Sequence, residues 1–153
     1  MSETEFSSIP PDAVIDFVRM HPEIFLVYQP LSDHDLCAKL LVDAITSGAG
    51  RILVEQGGSW WFIGAEKDWI RGNSAGKSID DLFCQITPNP RAGQNAMRNE
   101  ILLTAYAEDV ALFDSRGQIE RLDSFPSTQR PLPLLSPRMQ GLCGVCFSLE
   151  KPA

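Results

Sequence analysis

Apolar and polar side chains alternate most clearly in RILVEQGGSWWFIGAEKDWI, residues 51–70. Two apolar runs flank Gly57-Gly58, a dipeptide typical of a two-residue turn, so the pattern predicts a β-hairpin in which Val54 pairs with Trp61. Because side chains alternate between the two faces of a strand, this register predicts a wholly apolar core face: Ile52, Val54, Trp61 and Ile63. The opposite face is predicted to mix large apolar and charged residues: Arg51, Leu53, Glu55, Trp60 and Phe62.

Apolar residues recur at helical spacing in two segments of the first third of the chain. Pro10-Pro11-Asp12 begins one helix, and Pro22 ends it because the residue before a proline avoids helical backbone angles. Ser32 begins the other, where Asp35 has capping-box spacing and Gly48 supplies the end. The inward side of this second helix is predicted to carry Cys37, Leu40, Leu41, Ala44 and Ile45.

Two further helices are predicted in the middle of the chain. A short helical turn begins at Ser78, with Asp81 at capping-box spacing. A longer helix is predicted over residues 95–109 with Asn95 as its cap, and a strand over residues 101–106 is the alternative. Arg98 and Glu100, two positions apart, would point to different sides of such a helix and are not expected to pair.

The remaining apolar runs predict strands. EIFLVY (23–28) has the β-branched and aromatic content of a buried strand, and residues 109–122 predict a second hairpin with Asp114–Gly117 as its turn. Residues 142–149 predict a final strand. Between the second hairpin and this final strand, residues 123–141 contain four prolines. They show no hydrophobic periodicity, which is typical of an extended surface arm.

These elements together predict one α+β domain over residues 1–153, with residues 1–8 disordered. Its mainly antiparallel sheet is built from two β-hairpins, with two or three packed helices and a Pro-rich C-terminal arm. The net charge of −7 argues against nucleic acid or an anionic membrane as a partner, since both need a basic footprint. No secretory signal or membrane span is recognisable, so a cytoplasmic location is expected.

The stretch RGNSAGKSIDD (71–81) resembles a nucleotide-phosphate loop but has the wrong spacing. A phosphate loop needs four residues between its first glycine and Gly-Lys-Ser, so that successive amides can surround a phosphate. Gly72 is followed by only three such residues, and eight-residue spacing places Arg71 where the first glycine belongs. Nucleotide binding by residues 72–78 is therefore not expected.

Metal and redox chemistry are also poorly supported. Asp33, His34 and Asp35 are explained as the first turn of a helix, where acids are favourable. Cys143 and Cys146 have redox spacing, but too few residues follow them to form the helix that such a motif uses. On a strand their side chains would lie on opposite faces. No cofactor and no metal are therefore predicted.

Trp60 and Phe62 beside Arg51 and Glu55 have the composition of a protein-binding patch, with aromatic anchors and charge at the margin. The alternative is that a helix covers this face of the hairpin. The leading hypothesis is a small acidic protein that binds another protein, or a second copy, and carries no chemistry. Immunity proteins for toxins and small secretion chaperones share its size and charge, although no motif identifies either family.

The second hypothesis is an enzyme or a small-molecule binder. Its pocket would lie between the sheet and the Pro-rich arm, lined by convergent polar groups.

Overall fold

The computed structural model describes residues 10–26, 29–72, 78–93, 96–122 and 131–149. Its helices are α1 (Pro11–Met20), α2 (Pro22–Phe25), α3 (Asp33–Thr46), α4 (Ile79–Cys84) and α5 (Glu100–Tyr106). Its strands are β1 (Ile52–Gly57), β2 (Trp60–Ala65), β3 (Asp109–Phe113), β4 (Ile119–Arg121) and β5 (Cys143–Ser148). Single turns of 3-10 helix lie at Pro90–Ala92 and Pro137–Met139.

The five strands form one antiparallel sheet in the order β1-β2-β5-β3-β4. The two predicted hairpins, β1–β2 and β3–β4, are therefore separate in the sheet, and β5 joins them. The predicted turn at Asp114–Gly117 is confirmed: the side chain of Asp114 accepts from the backbone N–H groups of Arg116 and Gln118, at 2.9 and 3.1 Å. The α+β class and the final strand are also as predicted.

The sheet has two buried faces that are covered by different parts of the chain. The helices pack on one face, where β-strand residues such as Ile63, Val145 and Phe147 join helix residues in the larger hydrophobic cluster. Trp69 is also buried in this cluster. The other face carries a smaller cluster: Trp60, Phe62, Ala111, Phe113, Met139, Leu142 and Cys146.

The predicted register of the first hairpin is wrong: each residue of β1 pairs with a residue two positions beyond its predicted partner in β2. Val54 pairs with Ile63, and Gly57 pairs with Trp60, so the turn is formed by Gly58-Ser59, with Gly58 at φ +61°. The assignment of residues to faces is nevertheless correct. The shift changes each partner by two residues, and side chains on a strand return to the same face every second residue.

The strand predicted over residues 23–28 is wrong where the structure describes it. Pro22–Phe25 is a helical turn, in which the backbone N–H of Leu26 donates to the carbonyl of Pro22 at 2.8 Å. Proline fits the first position of a helix because it has no N–H to satisfy there. Residues 27 and 28 lie outside the described residues.

The helix predicted over residues 95–109 is shorter than expected. It begins at Glu100, and Asn95 lies outside the described residues, while Met97 forms an isolated β-bridge with Pro88. The backbone N–H of Arg98 donates to the carbonyl of Thr87 at 2.7 Å. This pairing holds residues 97–98 in an extended conformation and delays the helix start.

The other helix starts agree with the sequence. Ser32 and Asp35 form a complete capping box at α3, and Ser78 accepts from the backbone N–H of Asp81 at α4. The predicted disorder of residues 1–8 and the first part of the Pro-rich arm, residues 123–130, lie outside the described residues.

Candidate functional site

Trp60 and Phe62, the predicted aromatic anchors, are both buried. They are 6% and 5% exposed, and they pack with Met139 in the smaller cluster. Residues 131–142, the described end of the Pro-rich arm and the residue that follows it, cover the two rings. The sequence had offered a helix as the alternative cover. A partner therefore cannot reach these two rings while that segment stays in place.

Glu55 and Arg51, the predicted charged margin, lie in different surroundings. The hydroxyl of Ser136 donates to the Glu55 carboxylate, and Arg138 Nε lies 3.5 Å from Glu55 Oε1. Arg51 precedes β1 and its Nε lies 3.7 Å from Oε1 of Glu66. Glu55 thus fastens the covering segment to β1, and Arg51 belongs to a different ion pair, so the four predicted residues do not form one surface.

Large apolar side chains are exposed instead on α1 and α2. Met20 is 74% exposed and Ile24 is 61% exposed, and Phe17 is also exposed. The Phe17 ring contacts the rings of His21 and Phe25, with centroids 4.6 and 6.1 Å apart. We call Phe17, Met20 and Ile24 the α1–α2 patch; Ile24 belongs to the segment for which the sequence predicts a strand.

Acidic side chains are exposed on the same helices as the α1–α2 patch. Asp12, Asp16 and Glu23 are all exposed on the same two helices. One arginine lies on the same helices: Arg19 Nε donates to the carbonyl of Ala105 at 2.7 Å, and its Nη1 lies 3.8 Å from Asp16 Oδ1. Three carboxylates therefore face one arginine, which leaves an excess of negative charge. The patch therefore combines an apolar centre with a negative margin.

The solvent-facing side of α3 carries two large apolar side chains, Val42 and Ile45, which the helical spacing does not predict there. Val42 and Ile45 lie about one helical turn apart, beside the exposed Ala38 and the half-buried Lys39. Leu41 packs against the larger hydrophobic cluster, as predicted. Ile45 is 64% exposed, which corrects its predicted inward position, and Asp43 is buried instead.

Asp43 lies at the centre of a buried polar cluster between α3 and residues 89–99. Its Oδ1 accepts from the side-chain amides of Asn89 and Asn99, each at 3.1 Å, and its Oδ2 accepts from the backbone N–H of Asn99 at 2.7 Å. The Asn99 amide also donates to the carbonyl of Lys39 at 3.1 Å. These bonds fasten the segment before α5 to the inner side of α3.

Arg98 and Glu100 form a buried ion pair beside this cluster, so the prediction that they do not pair is wrong. Arg98 Nε donates to both carboxylate oxygens of Glu100, at 3.0 and 3.1 Å, and its Nη2 also donates to Oε1. Glu100 is completely buried. Arg98 precedes α5, so the helical spacing rule that separated the two side chains does not apply.

Burial raises the pKa of the Asp43 carboxyl to about 7, with a further contribution from the negative charge of Glu100. Since the ordinary value is 3.8, the folded protein holds a proton at this site over a pH range in which the unfolded chain has lost it. The free energy of unfolding therefore decreases as pH rises from about 4 to about 7 through this group.

Asp43→Asn is expected to remove this pH dependence. The free energy of unfolding of the wild-type protein, minus that of the variant, should decrease as pH rises from about 4 to about 7, because only the wild-type protein releases a proton from this position when it unfolds in that range. Urea unfolding followed by tryptophan fluorescence at several pH values measures this difference. A difference that stays constant with pH would contradict the role given to Asp43.

A cleft of about 240 Å³ lies where α4 begins beside β3 and β4, and not under the Pro-rich segment where a pocket was expected. Its apolar lining comes from Ile79, Leu112 and Leu122. Two arginines also line it, and both are paired with aspartates: Arg71 with Asp68 at 3.2 Å, and Arg121 with Asp109 through bonds of 2.9 and 3.0 Å. These pairings occupy the groups that would otherwise attract an anionic ligand.

The nucleotide-loop stretch borders this cleft, but residues 73–77 lie outside the described residues. Gly72 has a local explanation: a Cβ atom there would lie 2.5 Å from the carbonyl oxygen of Asp68. Ser78 is occupied as the cap of α4. The two described ends of the motif therefore have structural roles.

The residues considered for metal or redox chemistry also have structural partners. Asp33 accepts from Nε1 of Trp61 at 2.9 Å, which is the main reason that the pKa of its carboxyl is lowered. Within the described residues, no three His, Cys, Asp or Glu side chains are grouped as metal ligands. Cys143 and Cys146 lie on opposite faces of β5 as predicted, and burial raises the pKa of both thiols.

Comparison with known proteins adds no relative. No protein-family model, curated protein or solved structure matches the chain. None of the described helices is long and apolar enough to cross a membrane. Hypotheses about function therefore depend on the surfaces described above.

Proposed function

We propose that this protein is a non-enzymatic binding module that contacts another protein through the α1–α2 patch. The exposure of Met20 and Ile24, 74% and 61%, is the observation that supports the proposal. Scattered apolar residues are ordinary on a protein surface, but a group of large ones with a polar margin is typical of an interaction site. The ring contacts of Phe17 fix the patch in shape before a partner arrives, which lowers the entropy lost on binding.

The charge around the patch favours a partner with basic and apolar residues. Asp12, Asp16 and Glu23 lie beside the exposed apolar side chains, and the whole chain carries a net charge of −7. Complementary charge speeds association and rejects acidic partners. An amphipathic helix with lysine or arginine beside its apolar stripe has the required chemistry.

A photo-crosslinking amino acid at position 20, tested in extracts of the source cells, should capture this partner. The same group at Arg116, in the exposed β3–β4 turn, is the control and should not. The captured protein, once identified and purified, is expected to bind wild-type protein more weakly as salt concentration rises.

Ile24→Ser and Ile45→Ser form a matched pair for this binding, because the two isoleucines are similarly exposed, at 61% and 64%. Ile24→Ser should weaken binding by roughly tenfold or more, and Ile45→Ser should not. Equal effects of the two substitutions, or equal capture from positions 20 and 116, would be evidence against the α1–α2 patch as the binding surface.

A further inference from the structure

The segment that covers Trp60 and Phe62 is not hydrogen-bonded to the sheet through its backbone. We call residues 131–140 the strap, and the sheet surface beneath it the Trp60–Phe62 face. Among the described residues, every backbone hydrogen bond made by the strap joins two residues three positions apart within 136–142. The strap can therefore leave without breaking a bond between strands. A segment attached in this way opens at a lower free energy than the core does.

Apolar side chains fit the strap to the face. Met139 is completely buried, and it packs with Leu135 in the same cluster as Trp60 and Phe62. Gly64 leaves room for this contact, since a Cβ atom there would lie 2.9 Å from Sδ of Met139. The closed position of the strap is thus defined by the shape of the sheet surface.

Glu55 is the polar anchor of the strap. One carboxylate oxygen, Oε2, accepts from the hydroxyl of Ser136, and the other, Oε1, lies 3.5 Å from Nε of Arg138. Both oxygens of one side chain therefore hold the strap to β1. The Arg138 side chain is 72% exposed, so water can replace its contact with Glu55 when the strap moves, and the contact is weaker than a buried ion pair.

A hinge lies where the strap joins β5. Gly141 has a φ of +83°, and a Cβ atom built there would have no other atom within 4 Å. Glycine adopts both signs of φ at little cost, so this residue can change conformation in open space. Leu142, on the far side of the hinge, is buried next to β5. Rotation at Gly141 can move the strap and leave Leu142 in place.

We propose that the strap is a lid over the Trp60–Phe62 face, latched by Glu55 and hinged at Gly141, which opens while the sheet and the helices stay folded. The closed strap occupies aromatic surface that an apolar partner would otherwise contact, so it is an autoinhibitory contact. This device is independent of the α1–α2 patch, because the helices pack on the other face of the sheet.

Trypsin cleavage of the full, folded chain after Arg138 tests the proposal. The backbone at this position must leave the sheet to enter a protease, and the cleavage rate follows the population of the open form when opening and closing are fast. Cleavage after Arg116, in the exposed β3–β4 turn, is the internal reference. Glu55→Ala should raise the initial rate at Arg138, relative to the rate at Arg116, by roughly tenfold, because it removes a hydrogen bond to a charged group.

A second variant opens the strap without changing Glu55. Gly64→Ala should also raise the ratio of the two rates, since its methyl group presses on Met139. Gly57→Ala adds the same group where the nearest atom is 3.5 Å away, and it should leave the ratio unchanged. An unchanged ratio in both Glu55→Ala and Gly64→Ala would overturn the proposal. Faster cleavage at both arginines together would also overturn it, because that result reports unfolding of the whole domain.

Exposure of the Trp60–Phe62 face is measured with anilinonaphthalene sulfonate, a dye that binds exposed apolar surface. Glu55→Ala should bind more dye than the wild-type protein, and Gly57→Ala should not, with the circular dichroism of both variants unchanged. Faster cleavage at Arg138 without extra dye binding would show that the strap frays and leaves the face covered, which would overturn the autoinhibitory role.

Discussion

Arg98→Met is expected to reduce the free energy of unfolding by about 3–5 kcal/mol. The substitution leaves the Glu100 carboxylate, which is 0% exposed, without its bidentate partner and close to Asp43. A buried charge that loses its counterion must either remain unpaired or take up a proton, and both are costly. Urea unfolding at neutral pH measures the loss.

The double variant Arg98→Met/Glu100→Gln is the control for this result. It removes both charges, so it should recover part of the stability that Arg98→Met loses, because removing a whole buried ion pair costs less than removing half of it. If the double variant is less stable than Arg98→Met, the cost lies in lost packing around Arg98 and not in the charge left on Glu100. Adding the single variant Glu100→Gln completes a double-mutant cycle, which separates the two causes.

Gly144→Ala is expected to be the most destabilising glycine-to-alanine substitution in the sheet. It should lower the free energy of unfolding by more than about 4 kcal/mol or prevent folding. Gly144 lies in β5 and pairs with Gly64 of β2. A Cβ atom at position 144 would lie 1.8 Å from the carbonyl oxygen of Ile63, which is backbone and cannot rotate away. The two strands would have to separate to accept it.

Two other glycines serve as graded controls for that substitution. A Cβ atom at Gly64 would lie 2.9 Å from Sδ of Met139, a flexible side chain, so Gly64→Ala should cost less than Gly144→Ala. At Gly57 the nearest atom is 3.5 Å away, and Gly57→Ala should change stability by about 0.5 kcal/mol or less. Soluble yield and the midpoint of urea unfolding measure the order of stability of the three variants. A Gly144→Ala variant as stable as Gly57→Ala would contradict the expected clash with the Ile63 carbonyl.

The parts of the fold that follow from local pattern could be predicted from the sequence. The hairpin faces around Val54 and Trp61 were assigned correctly even with the wrong register, because alternation survives a shift of two residues. The start of α3 at Ser32 was also predictable, since a capping box depends on residues three positions apart. In both cases the information lies within a few residues of the chain.

The candidate surfaces could not be predicted, because they depend on contacts between distant segments. Ile45 was assigned inward on helical spacing, but Asn89 and Asn99 draw Asp43 to the inner side and turn Ile45 outward. The signal was present as one aspartate in an otherwise apolar stretch, although its partners lie 46 and 56 residues away. The cover of Trp60 and Phe62 comes from the far end of the chain, where Met139 and Leu142 pack in the same cluster.

The position of β5 has a consequence for synthesis of the protein. This strand, Cys143–Ser148, is made last among the five, yet it lies between β2 and β3 in the sheet. During translation the two hairpins can each form early, but in the described sheet the strand that joins them, β5, leaves the ribosome after both. Until then the inner edges of β2 and β3 are open, and a nascent chain at this stage is most exposed to pairing with other unfinished chains.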